Sequence, residues 1–403
     1  MAVALQAPTR LPPVPGIRLS TCAAGIRYRG RDDLLLIDAG QDAAIAALFT
    51  TNAFCAAPVQ VAREHLAAGA PRWLLINAGN ANAGTGPAGV AAARATCAAA
   101  GRVCDADPHA VLPFSTGVIG EPLPVSLVED ALPCLYAGLR DDAWLAAGRA
   151  IMTTDTVLKG ATRTVRLAAG TITLTGIAKG SGMIHPDMAT MLAFIGTDAR
   201  IDSALLRELL LDAVDRSFNA VTVDGDTSTN DALVCMASGA SGVDLAAPAD
   251  RERFRVALDS LCLELAEAIV RDGEGATKFV RVIVRGGRDR SEARRVAETV
   301  ALSPLVKTAL FASDPNWGRI LAAVGRAGIE TFLIERVRVT VNGVEIVSAG
   351  GRAPDYTEAA GQRAFAAAEL DIVIDLARGD AEYTKYTCDF SYDYVRINAD
   401  YRS

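Results

Sequence analysis

Thr190 ends the stretch KGSGMIHPDMAT (179–190), in which small residues and a proline lead into the apolar run MLAF. A threonine hydroxyl is a weak nucleophile and needs an adjacent base. Histidine is scarce: the 403-residue chain has three, His65, His109 and His185. His65 lies in helix-like AREHLAAG and His109 in turn-like DADPHAV, neither inside a catalytic motif. A GxSxG elbow is missing too, so a Ser–His–Asp hydrolase is not supported. A threonine that begins a chain has another base, its own α-amine, with a pKa of about 8. Thr190 is internal, so that amine has to be released by cutting Ala189–Thr190. The same hydroxyl can do this by attacking the Ala189 carbonyl. The acyl group moves from nitrogen to oxygen, and water hydrolyses the ester. Ala189 is small enough to leave its carbonyl accessible, and strain in the Gly/Pro turn would help the first step. The products would be chains 1–189 and 190–403.

Acyl transfer also needs donors for a developing oxyanion. FSTGVIG (114–120) offers the Thr116 hydroxyl and, at Gly117, a backbone N–H that can be approached closely. Lys179 can hold a carboxylate or lower a neighbouring pKa. Glu274, in RDGEGATK (271–278), can bind an amine or act as an acid/base. Other small, polar stretches between apolar runs are INAGNANAGTG (76–86), MTTDT (152–156), TVDGDTSTND (222–231) and DPNWGRI (314–320). None is a Walker A loop or a GxGxxG loop after a strand, so a nucleotide-binding fold is not supported. DGDTSTND lacks the sixth-position Gly and final Glu of a calcium loop. DPNWGRI receives no catalytic role. The eight cysteines form no CxxC pair and mostly sit among Ala, Leu or Val. They read as small buried hydrophobes, with no structural zinc and no other metal expected.

The elements that must carry these residues alternate between strand-like and helix-like runs. RWLLIN (72–77) reads as a buried strand and the Ala-rich run after INAGNANAGTG as a helix. Residues 162–177 read as two strands around Gly170, with apolar and polar residues alternating. DSALLRELLLDAVDRSF (202–218) is an amphipathic helix capped by Asp202 or Ser203. A second helix covers 250–270, ending near Gly273. Residues 336–347 form a hairpin around Asn342-Gly343, and 370–376 is a further strand. This suggests a catalytic α/β layer structure over 1–279 and a smaller α/β domain over 280–403.

Length makes two domains a fair expectation. Half the residues are hydrophobic, and the net charge of −7 argues against nucleic acid or an anionic membrane as the main partner. No apolar run reaches the roughly 18 residues of a membrane span. The N-terminus lacks a signal-peptide pattern. A cytoplasmic protein is expected.

Seven blocks in order, INAGNANAGTG, STGVIG, MTTDT, KGSGMIHPDMATMLAF, SFNAVTVDGDTSTND, DGEGATK and DPNWGRI, closely resemble the glutamate N-acetyltransferases, also called ornithine acetyltransferases, of arginine biosynthesis. The resemblance runs from about residue 16 to the C-terminal INADYRS. It implies a layered α/β/β/α fold with a second smaller domain, of the self-processing aminopeptidase-like group. It implies self-cleavage at Ala189–Thr190, with the fragments staying together as an α2β2 heterotetramer. Thr190 would take an acetyl group from N-acetylornithine and pass it to glutamate in a ping-pong cycle. Acetyl-CoA is implied as a further donor in many members, with no bound cofactor. The oxyanion pair maps to Thr116 and Gly117. Substrate contacts map to Thr156, Lys179, Thr190, Glu274, Asn398 and Ser403. Ala83, Val157-Leu158, His185 and Asp187 depart from the family pattern beside the site and bear on donor preference rather than reaction type. A Thr-nucleophile amidase or aminopeptidase, passing the acyl group to water, is the alternative.

Overall fold

The computed structural model describes residues 2–69, 71–185 and 191–400. Contacts divide the chain into two units. One comprises Gln6–Asn219 and Asp226–Ile269, the other Met1–Leu5, Ala220–Gly225 and Val270–Ser403.

In the larger unit two sheets face each other. The first contains β1 (Arg18–Cys22), β2 (Leu34–Asp38), β4 (Trp73–Asn80) and β5 (Val111–Val118), in the order β1-β2-β4-β5. The second contains β3 (Ala44–Phe49), β6 (Lys159–Leu167), β7 (Gly170–Lys179), β8 (Leu192–Thr197) and β9 (Ala232–Ala237), in the order β3-β9-β8-β7-β6. Every residue of β4, β8 and β9 is buried. That explains why these strands read as continuous apolar runs without alternation. Because side chains alternate along a strand, Leu35, Ile37, Leu74, Ile76 and Phe114 face the second sheet. There they meet Ile177, Leu192, Phe194, Val234 and Met236. The Phe114 and Phe194 rings meet edge to face, centroids 5.3 Å apart.

The intervening residues Leu34, Leu36, Trp73, Leu75 and Val111 pack with Cys97 and Ala100 of helix Gly86–Cys104 and with Val128 and Leu132 of helix Val125–Ala137. Beyond the second sheet lie helix Ser203–Arg216 and helix Pro248–Arg271. Leu261 comes so close to β7 that a Cβ on Gly176 would stand 2.9 Å from its Cδ2. The layering is α/β/β/α, as the resemblance implied.

The smaller unit is built on a mixed sheet ordered β13-β12-β11-β14-β10-β15. Its strands are β10 (Phe279–Gly287), β11 (Arg338–Val341), β12 (Val344–Ser348), β13 (Gly351–Arg352), β14 (Glu369–Asp375) and β15 (Ala381–Cys388). Helix Arg290–Ala301 lays Ala293, Val296, Ala297 and Val300 on Val280, Val282 and Val284 of β10. The β11–β12 turn has φ of +46° at Asn342 and +80° at Gly343, the left-handed pair that an Asn-Gly hairpin requires. DPNWGRI starts helix Trp317–Gly325: the Asn316 side chain accepts the Arg319 N–H and donates to Asp314 Oδ2 at 3.0 Å.

This contact-based division starts the C-terminal stretch at Val270, ahead of the 279/280 boundary read from the sequence, and adds two earlier segments. Asp389 gives one reason. It accepts the backbone N–H of Thr277 and of Lys278, each at 2.8 Å, binding the end of DGEGATK to the β15 strand end.

Asp202, not Ser203, caps its helix, accepting from the N–H groups of Ala204 and Leu205. Of the cysteines, Cys97, Cys104, Cys235, Cys262 and Cys388 are buried, and Cys22 and Cys55 half-buried. Burial pushes the Cys97 and Cys235 thiols up to about 12, which makes them inert as nucleophiles. Cys134 departs from the expectation and is exposed on the outer face of its helix. Among the described residues no helix is long and apolar enough to cross a membrane.

Candidate active site

Thr116 and Gly117 lie near the end of β5, where its parallel pairing with β4 becomes irregular. Gly117 has φ of +134°, which side-chain-bearing residues rarely adopt. A Cβ there would lie 2.2 Å from the Gly79 carbonyl carbon and 2.6 Å from Asn80 N. Glycine is therefore demanded twice, by conformation and by the close crossing of the two strands.

The asparagines of INAGNANAGTG brace this crossing. Asn77 donates to the Asn80 carbonyl at 2.8 Å and accepts from Ser115 Oγ. Asn80 accepts the Asn82 N–H, and Asn82 donates to the Gly89 carbonyl at 3.0 Å. Asn230, from TVDGDTSTND, donates to the carbonyls of Ala81 (2.6 Å) and Ser115 (3.0 Å). It ties β5 to the loop after β4. The sequence marks these stretches as polar loops and as blocks of the resemblance without giving the asparagines a role; in the structure they act as scaffold for Thr116.

Lys179 ends β7, its Cα opposite Leu192 of β8. Its ammonium donates to Thr116 Oγ1 at 3.1 Å. The structure thus joins two residues 63 apart in the chain. Next to Lys179, the Gly180 N–H donates to Asp155 Oδ1 at 2.7 Å. Lys159 Nζ reaches the same oxygen at 2.6 Å. The Asp155 and Lys159 side chains are fully buried. Burial alone would raise the Asp155 carboxyl. Lys159, Lys179 and the Gly180 N–H outweigh it and hold the group well below the usual carboxylate range. Sequence reading missed both residues, although MTTDT and a lysine four positions after its Asp were visible signals. Thr156, the next residue, is exposed in the same loop.

Ala189 and Thr190 lie outside the described residues, as do Asp187 and Ser403. Their flanks are anchored. Ile184 bridges Thr227, the Thr227 hydroxyl donates to the His185 carbonyl at 2.9 Å, and the Met191 carbonyl accepts the Ala232 N–H at 3.0 Å.

In the smaller unit, buried Glu274 accepts from Asn398 Nδ2 at 2.9 Å. These two mapped substrate contacts are 124 residues apart. Asn398 projects from helix Tyr392–Ala399, which sits on the DGEG turn. Ser391 Oγ donates to the Gly275 carbonyl at 2.6 Å, and a Cβ on Gly275 would stand 2.4 Å from Tyr394 N.

A hydroxyl and a glycine backbone beside a lysine, carried at the strand ends of an α/β/β/α sandwich, make an arrangement suited to stabilising an oxyanion. The ArgJ family model matches residues 18–403, and the chain belongs to that family. It is 57% identical over 396 residues to the arginine biosynthesis bifunctional protein ArgJ of Methylococcus capsulatus, covering 98% of this chain and 97% of that one. It is 50% identical to the protein of that name from Pseudomonas syringae pv. tomato, covering all of both. Among solved structures, the arginine biosynthesis bifunctional protein argJ of Bacillus halodurans is 39% identical, covering 50% of this chain and 95% of that chain, with a TM-score of 0.48.

Proposed function

We propose that this chain transfers an acetyl group from N2-acetyl-L-ornithine to L-glutamate, yielding ornithine and N-acetylglutamate in arginine biosynthesis. Membership of the ArgJ family over residues 18–403 carries this reading, and the contact of Lys179 with Thr116 supports the site assignment. The chain first cuts itself between Ala189 and Thr190. The freed Thr190 amine then takes the hydroxyl proton, and the oxygen attacks the acetyl carbonyl of acetylornithine. Thr116 and the Gly117 N–H stabilise the oxyanion. Ornithine leaves with the proton, and acetyl-Thr190 remains. Glutamate enters, its amine attacks the ester, and N-acetylglutamate departs in the second half of a ping-pong cycle. Thr156, Lys179, Glu274, Asn398 and Ser403 contact the substrates. Glu274 has the charge to hold the distal ammonium of ornithine, and a lysine suits an α-carboxylate.

Acetyl-CoA acts as a second acetyl donor, in keeping with the word bifunctional in the relatives' name. The enzyme works in the cytoplasm, as a heterotetramer of two 1–189 and two 190–403 chains. The competing amidase reading differs only in the acceptor, water.

Denaturing mass spectrometry of the purified protein tests the cut. Two species summing to the precursor plus one water, one beginning at Thr190, are expected. Acetylornithine should add one acetyl group to the 190–403 fragment alone. Incubation with and without glutamate then separates the readings. A transferase makes acetylglutamate, whereas an amidase releases acetate equally in both. A stable intact chain that takes no label would refute the mechanism.

A further inference from the structure

Asp155 is a buried charge to which the acetyl-transfer steps assign no part. It lies in the loop before β6, with one oxygen accepting from Lys159 Nζ at 2.6 Å and from the Gly180 N–H at 2.7 Å. The other oxygen accepts the Thr153 N–H at 3.0 Å. Both the Asp155 and Lys159 side chains have 0% exposure. A buried carboxylate is costly without such partners; here Thr153 and Lys159 come from its own loop and the start of β6, and the Gly180 N–H from the turn that carries Lys179.

The Lys179–Thr116 contact has a direction. An ammonium has donors and no acceptor, whereas a threonine hydroxyl has one proton. At 3.1 Å, Lys179 Nζ is therefore the donor and Thr116 Oγ1 the acceptor. The single Thr116 proton is left for a different acceptor. In the proposed reaction that acceptor is the oxyanion, and a positive charge on the far side of the hydroxyl makes it a stronger donor.

We propose that Asp155 is a positioning residue of the acyl-transfer site. Locked by Lys159, it holds the Gly180 N–H so that the Lys179 ammonium stays on Thr116 and turns the Thr116 proton toward the oxyanion. This rests on the acetyltransferase reading and deepens it: the oxyanion donor is oriented by a relay that begins at a buried ion pair.

The test is steady-state transfer from acetylornithine to glutamate by wild type, D155N, T116V and D155N/T116V. Rates are expressed per cut chain, with the cut fraction read by mass spectrometry. D155N should lower kcat about 100-fold, the scale of losing one oxyanion donor, with KM within about threefold. In the T116V background the same substitution should lower kcat less than about threefold, because its effect passes through Thr116. A general loss of structure would multiply in both backgrounds and move KM as well. If D155N does not fold, D155N/K159M removes the buried pair as a unit and takes its place in both arms. Wild-type kcat in the folded Asp155 variant, or an equal loss with and without Thr116, overturns the proposal. Wild type that forms no acetyl-Thr190 overturns the acetyltransferase reading itself, and the relay falls with it.

Discussion

Gly117 and Asp155 show how differently single residues announce themselves. FSTGVIG was legible because a hydroxyl beside a glycine can supply oxyanion donors and because the resemblance singled this run out among several loops of similar composition. The structure supplies the reason for Gly117: its φ of +134° and its crossing over Gly79. Gly117→Ala should therefore cost roughly 1–3 kcal/mol from backbone strain alone, with the backbone clash added. Expected are a lower melting temperature and loss of transfer; a variant that melts and turns over like wild type would contradict the geometry. Asp155 was not legible, because its meaning depends on β7 returning Gly180 to it across 25 residues. Its carboxyl is held below the usual range, so the unfolded chain binds the extra proton first. Its contribution to stability is then present above about pH 4, the unfolded carboxylate value, and lost as pH falls through the lower folded value. The stability difference between wild type and D155N, from denaturant titrations, should be constant near neutrality and shrink in that acid window. A difference that grows toward acid would refute the assignment.

At the scale of elements, periodicity and turn chemistry made helix 203–216 and the 342–343 hairpin readable, because both are decided within a few residues. The asparagine brace was not, since Asn230 meets Ala81 and Ser115 across 149 and 115 residues. A polar run reads as a loop until the carbonyls it satisfies are known. Asn230→Ala leaves two carbonyls at the β4–β5 crossing without this donor, a loss of roughly 1–3 kcal/mol. Asp202→Ala removes an exposed helix cap worth about 1 kcal/mol. The two variants separate stability from site geometry. Both should melt a few degrees earlier, while transfer falls only in Asn230→Ala, which loosens the strand carrying Thr116. Equal transfer in the two would show that the brace has no bearing on the site.

Over the whole molecule, the proposed cut would divide the strands of one sheet between its two products. In the order β3-β9-β8-β7-β6, strands β8 and β9 belong to 190–403, and β3, β7 and β6 belong to 1–189. The second fragment's pair is therefore held on both edges, by β3 along β9 and by β7 along β8. Leu192, Phe194, Val234 and Met236 from 190–403 are buried against Ile37, Ile76 and Phe114 from 1–189. At roughly 1.5–3 kcal/mol each, those four side chains supply about 6–12 kcal/mol. Alternation made β6 and β7 legible and an apolar run marked β8, while β3 and β9 were not read; the interleaving was not legible either, because strand order is set by crossovers and not by local pattern. The fragments should co-elute in native size-exclusion chromatography, even after dilution to nanomolar concentration. They should separate only in denaturant, in the same transition that unfolds the sandwich. Separation under native conditions, with either fragment still folded, would show that the two products do not share this sheet.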